Sequence, residues 1–132
     1  MSERIEKTFH CPLEVAMHLV GGKWQCVILW HLRHGALRFS QLKRRLPGIT
    51  PKMLTQTLRE LEENDMLYRK IYPEIPPRVE YSLSKQGEEF IPVLRGMYTW
   101  AREYASSYDL TIDTSLQEHI IEEERRKARQ VQ

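Results

Sequence analysis

The segment Leu46-Pro-Gly-Ile-Thr-Pro51 constrains this chain more than any other stretch. Pro47-Gly48 stops any helix that precedes it. Thr50-Pro51 starts another, with a capping hydroxyl followed by a proline where no amide donor is needed. Upstream, Ser40 reads as the N-cap of a helix running to about Leu46. Downstream, Pro51 to about Asn64 has two faces: Leu54, Leu58 and Leu61 at i, i+4 and i+7, against Lys52, Gln56 and Arg59. Two helices across a short turn containing glycine predict a helix-turn-helix, with the second helix in the recognition position.

The residues beyond Asn64 narrow the fold further. Leu67 to Tyr72 and Arg78 to Leu83 alternate as strands do, and Pro73-Glu-Ile-Pro-Pro77 between them is too rich in proline for a strand interior. A β-hairpin directly after a recognition helix makes a winged helix. Before it, Pro12 to Val20 predicts a short helix ended by Gly21-Gly22, and Lys23 to His34 a second one closed by Gly35. Leu37 to Phe39 has room only for a strand stub or an extended link. Ser84 caps a long helix carrying Phe90, Ile91, Leu94, Met97, Tyr98, Trp100, Ala101 and Tyr104, more apolar surface than one small domain needs. Pro92 inside it predicts a start nearer Glu88, or a kink. Ser106 to Thr111 reads as a linker. Ser115 to Gln130 is a last amphipathic helix, with Glu122–Arg126 and Glu123–Lys127 pairs at favourable spacing. The fold class is mainly α with a β-hairpin wing (α+β), as one domain over residues 1–132.

Charge is where composition becomes informative. The net charge is only +2 over 132 residues, yet Arg33 to Arg59 holds seven cations and no acid. The acids follow at Glu60 to Asp65 and near the end at Glu118 and Glu122 to Glu124. A basic run can be a mere solvated face; here it coincides with the helix-turn-helix. Lys52, Gln56 and Arg59 are suited to base edges in the major groove, Arg or Lys to guanine and Gln to adenine. Thr50, Ser40 and Lys43 stand near helix starts, where hydroxyls and free amides hold phosphates. Arg44 or Arg45 has the reach for the backbone. Lys70 and Arg78 flank the wing tip, within range of the minor groove or its phosphates. The competing account has Arg59 paired with Glu62 or Glu63 and reading nothing.

Other function classes find little support. There is no glycine-rich phosphate loop, no Gly-x-Ser-x-Gly and no His-Glu-x-x-His, so an enzyme is not expected. His31 and His34 are two imidazoles without a third ligand at suitable spacing, so neither a metal nor a cofactor is expected. Trp30, Trp100 and the tyrosines would suit a pocket between the domain and its flanking helices, but aromatic stripes at helical spacing are by default core. The longest apolar run, Cys26 to Trp30, is far too short to span a membrane. The charged start Met1 to Lys7 does not read as a secretory signal, which implies a cytoplasmic protein. Two cysteines cannot build a disulfide framework.

The segments Cys11-Pro-Leu-Glu14, Gly21-Gly-Lys-Trp24, Arg38-Phe39 with Leu42, Leu46-Pro-Gly-Ile49, Leu58-Arg-Glu-Leu-Glu-Glu63 and Tyr72-Pro-Glu-Ile-Pro-Pro-Arg-Val-Glu-Tyr81 resemble the HxlR-type regulators. These are a MarR-like branch of winged helix-turn-helix transcription factors. The resemblance covers residues 11–104 and leaves 105–132 as a linker and C-terminal helical extension. It implies a homodimer joined through N- and C-terminal dimerisation helices, binding a roughly palindromic operator in double-stranded DNA to repress or activate nearby genes. It also implies a sensing cysteine just before the first helix, the place of Cys11. The helix dipole there favours a thiolate, and a protonated His10 would add to that. The expected product is a disulfide to Cys11 of the partner subunit or a mixed disulfide with a small thiol. An inert cysteine at a helix entry is the plainer account. Cys26, inside an apolar run, reads as packing. A small-molecule or metal effector without thiol sensing, or a winged helix used for protein contact, stays open; seven uncompensated cations argue against the last.

Overall fold

The computed structural model describes residues 8–130. The charged stretch 1–7, on which the expectation about a secretory signal rests, lies outside them. The elements are α1 (Pro12–Val20), α2 (Gln25–His31) running into a 3-10 turn (Leu32–His34), β1 (Leu37–Arg38), α3 (Phe39–Arg45), α4 (Pro51–Glu63), β2 (Leu67–Tyr72), β3 (Arg78–Leu83), α5 (Lys85–Ser107) and α6 (Ser115–Gln130). Among the described residues, no helix is long and apolar enough to cross a membrane.

The hairpin forms where the alternation places it, with Leu67 opposite Leu83 and Tyr72 opposite Arg78. The short stub is a strand: Leu37 and Arg38 pair with Tyr81 and Glu80, giving an antiparallel sheet in the order β1-β3-β2. The wing is thereby clamped at its base to the segment that feeds α3. Ile28, Leu29, Leu32, Leu42, Leu46, Leu54, Leu58, Leu61 and Leu67 are the largest fully buried side chains, so the apolar faces of α2, α3 and α4 meet over the sheet in one core. Thr57 is the buried polar residue among them, and its hydroxyl donates to the Met53 carbonyl at 2.7 Å. A satisfied hydroxyl costs little to bury.

Capping fixes α4 and α5 as the sequence predicts. Thr50 Oγ1 accepts from the Met53 amide at 3.1 Å, and Ser84 Oγ accepts from the Gly87 amide at 3.1 Å. The same Ser84 hydroxyl donates to the Asp65 carbonyl, tying the start of α5 to the end of α4. Gly87 is required for contact rather than for turning: a Cβ there would lie 2.1 Å from the Met66 carbonyl oxygen.

Several expectations need correction. Ser40 does not cap α3. Pairing with β3 holds Arg38 extended (φ −83°, ψ 161°), so the helix begins at once at Phe39 and Gln41 Oε1 accepts the Arg38 amide at 2.8 Å. The second helix is shorter than Lys23 to His34, ending in the 3-10 turn. Pro92 neither delays α5 nor ends it. The helix runs from Lys85 to Ser107, Pro92 costing it the bond to the exposed Glu88. The link to α6 therefore begins later, at Tyr108. On α6, Glu123 and Lys127 pair at 3.2 Å as expected, but Glu122 bonds Arg129 at 3.3 Å in place of Arg126.

Candidate DNA-binding surface

The exposed side of α4 carries the chemistry. Its apolar face is consumed by the core through Leu54, Leu58 and Leu61, which turns Lys52, Gln56 and Arg59 to solvent. With Pro51 and Thr55 they line a shallow groove of about 440 Å³. Thr55 joins the three residues expected from sequence, and its spacing of three from Lys52 and four from Arg59 is the signal for it. Gln56 Nε2 donates to Glu60 Oε1 at 3.2 Å, which fixes its amide along the helix. Glu62 bonds Arg69 of β2 at 3.9 Å, drawing one candidate neutraliser of Arg59 away from it.

Around α4 the remaining candidates divide. Thr50 is spent as a backbone cap but stays exposed. Ser40 is exposed in the first turn of α3, beside amides that have no helical partner, and Lys43 is half-buried on the same helix. In the wing, Lys70 is exposed with its Nζ 4.8 Å from the Tyr72 ring centroid. Arg78 lies on the same ring at 3.9 Å, with Glu74 at 3.3 Å and Glu80 at 3.7 Å. Arg78 thus staples the two strands beside the tip, with two carboxylates compensating its charge.

The other half of the basic block is occupied. Arg44 pairs with Glu123 of α6 at 3.2 Å, and Arg45 with Glu124 at 2.5 Å. The first pair is open to solvent; in the second each side chain is only 12% exposed. Ile120 buries itself alongside. The acidic run near the C-terminus, distant in sequence, folds back onto the arginines of α3. Charge complementarity between Arg44-Arg45 and Glu123-Glu124 was the sequence signal for this contact.

The two cysteines differ as their settings suggest. Cys11 is exposed at the N-cap of α1, in extended conformation and without a side-chain capping bond. Cys26 is half-buried against the core; its thiol reaches the Val20 carbonyl at 3.5 Å, and burial raises its pKa. Among the described residues, no three His, Cys, Asp or Glu side chains come together as a metal site would need.

Comparisons with known proteins agree with this geometry. A family model described as HxlR-like helix-turn-helix matches residues 19–109. An HTH-type transcriptional regulator of Methanothermobacter thermautotrophicus is 49% identical over 96 residues, 73% of each chain. The HTH-type transcriptional regulator YtcD of Bacillus subtilis is 39% identical over 123 residues, 89% of this chain and 98% of that one. Among solved structures, the redox regulator HypR in its reduced form superposes with a TM-score of 0.72 at 35% identity, over 76% of this chain and 100% of its own. A winged helix-turn-helix with kinship of this extent is a DNA-binding transcriptional regulator and not an enzyme, and the chain belongs to the HxlR-like helix-turn-helix family.

Proposed function

We propose that the protein acts in the cytoplasm as a homodimer that recognises a roughly palindromic operator and represses or activates the adjoining genes, with residues 11–104 as the DNA-binding unit and 105–132 as a C-terminal extension. The observation that carries this reading is the exposed Lys52, Gln56 and Arg59 face of α4, opposite a fully buried leucine face. These side chains read base edges. Thr50, Ser40 and Lys43 hold phosphates, and Lys70 and Arg78 bring the wing to the minor groove. Arg44 reaches the backbone only by exchanging Glu123 for a phosphate.

The dimer contact comes from α1 and α5. Leu13, Met17, Val93, Met97, Trp100 and Tyr104 are exposed there, and the rings of Trp100, Tyr104 and Tyr108 stack in series at 5.2 and 4.5 Å. An apolar stripe of this length on a small regulator marks an interface. Selection of bound genomic fragments, followed by titration at several salt concentrations, tests the reading. Selected fragments should bind about a thousandfold more tightly than scrambled ones. Equal affinity for both would reduce the protein to a non-specific cation.

For the signal, we propose oxidation at Cys11. Its thiol is exposed at the N-cap of α1, open to an oxidant, and HypR is a redox regulator. Diamide should abolish binding to the selected fragments in the parent protein and spare Cys11→Ser. Loss of binding in both would rule out Cys11 as the site of the response.

A further inference from the structure

Glu60 stands where two helices meet. It lies on α4 one turn after Gln56, half-buried, and both of its carboxylate oxygens are engaged. Oε1 accepts from Gln56 Nε2 at 3.2 Å, and Oε2 accepts from Gln25 Nε2 at 3.4 Å. Gln25 is the first residue of α2, so the second bond ties the base-reading helix to a different part of the domain. The Gln25 carboxamide in turn lies over Gly22, where a Cβ would come within 2.4 Å of its Oε1 and 2.8 Å of its Nε2. Gly22 has no positive φ that would call for glycine. Its missing side chain leaves the room that Gln25 occupies on its way to Glu60.

The chemistry of the three groups gives this arrangement a direction. A carboxamide has an oxygen that accepts and an NH2 that donates twice, whereas a carboxylate only accepts. A free Gln56 amide could take either of two orientations, half a turn apart about its last bond. Glu60 tolerates one of them, with the nitrogen toward it. One N–H is then spent on Glu60, and the oxygen and the second N–H remain. Those are the groups that bidentate recognition of adenine uses, the oxygen for the N6 amino group and the N–H for N7. A plain surface pair at i, i+4 would account for the bond to Gln56 but not for the one from Gln25.

We propose that Glu60 is a positioning residue for base recognition: anchored by Gln25, it holds the Gln56 carboxamide in the one orientation that reads adenine. Glu60 itself touches no base. The proposal rests on the reading of Gln56 as a base contact, and the experiment separates the two.

Each adenine of the selected fragment is replaced in turn by 7-deazaadenine, which lacks the N7 acceptor, and the ratio of the two affinities is measured for each protein. A ratio cancels any change in the folded fraction or in phosphate binding. The parent should show a ratio of about ten at one adenine of each half-site, and Gln56→Ala should flatten it. Glu60→Gln replaces an acceptor with a group that accepts and donates alike, and Gln25→Ala removes the anchor. Each should lower the ratio about threefold, the cost of immobilising a side chain that the free protein no longer holds. In DNA-free 15N-labelled protein, the Gln56 carboxamide signals should shift in Gln25→Ala as they do in Glu60→Gln. A parental ratio in Gln56→Ala would overturn the adenine reading and the proposal with it. A ratio lost in Gln56→Ala but kept in Glu60→Gln or Gln25→Ala would leave Gln56 as a reader and overturn Glu60 as its positioner. Gln56 signals indifferent to Gln25→Ala would do the same.

Discussion

Arg59 shows how much a single side chain can be asked to do. It leaves α4 on the solvent face, one turn beyond Gln56, and Glu62 is turned toward Arg69. Arg59→Ala should cost about 1–3 kcal/mol of operator affinity and relax preference at one base pair, measured by binding to the selected fragment and its single-base variants. A uniform loss across all variants would demote it to a phosphate contact. His31 carries a different prediction. Folded, it stays neutral down to about pH 4 because burial and the guanidiniums of Arg45 and Arg33 oppose its charge; unfolded, it protonates below about pH 6.5. Between those values the unfolded chain binds the extra proton, so stability present above pH 6.5 declines as the pH falls toward 4. The loss is about 3 kcal/mol at most. Chemical denaturation at pH 7 and pH 5 should show that slope, and His31→Gln should flatten it.

Elements explain what could be read from sequence and what could not. The hairpin, α4 and the start of α5 follow local rules, because alternation and the Thr50 and Ser84 hydroxyls act within a few residues. Ser40 has the same local signature of a cap. It does not act as one because a strand partner more than forty residues away, Glu80, fixes Arg38 in extended form and sets the start of α3. Pro92 departs from its local rule for a related reason: Ile91 and Leu94 are anchored in the core on either side of it, and that packing outweighs one missing bond. The surface of α4 was legible because its leucines fix which side faces out, whereas the pairing of Arg44 and Arg45 with α6 joins segments 79 residues apart. The two pairs should differ in strength. Glu123→Gln, at a solvent-open pair, should change stability by less than about 1 kcal/mol. Glu124→Gln leaves Arg45 nearly buried without its counter-charge and should cost about 1–3 kcal/mol, with hydrogen exchange accelerated along α6. Equal exchange in both variants would mean that Ile120 alone holds the helix.

For the whole molecule, the exposed apolar stripe on α5 and α1 is a feature that a single chain leaves unsatisfied. Trp100→Glu would place a charge in the centre of the proposed contact while leaving the core untouched, since Trp100 is 65% exposed. Sedimentation should show the parent as a dimer and the variant as a monomer, with operator affinity lost because two half-sites are no longer read together. A variant that stays dimeric would move the interface elsewhere. The short connection from Tyr108 to Thr114 bears on a different matter, namely how α6 stays where it is. A separate peptide could not remain bound through two ion pairs and one buried isoleucine. Tethered by a few residues, α6 meets α3 at an effective concentration in the millimolar range, so modest contacts suffice. The same arithmetic makes the contact exchangeable. On the proposed reading, a bound duplex, which offers phosphates at comparable local density, would take Arg44 from Glu123 without unfolding anything.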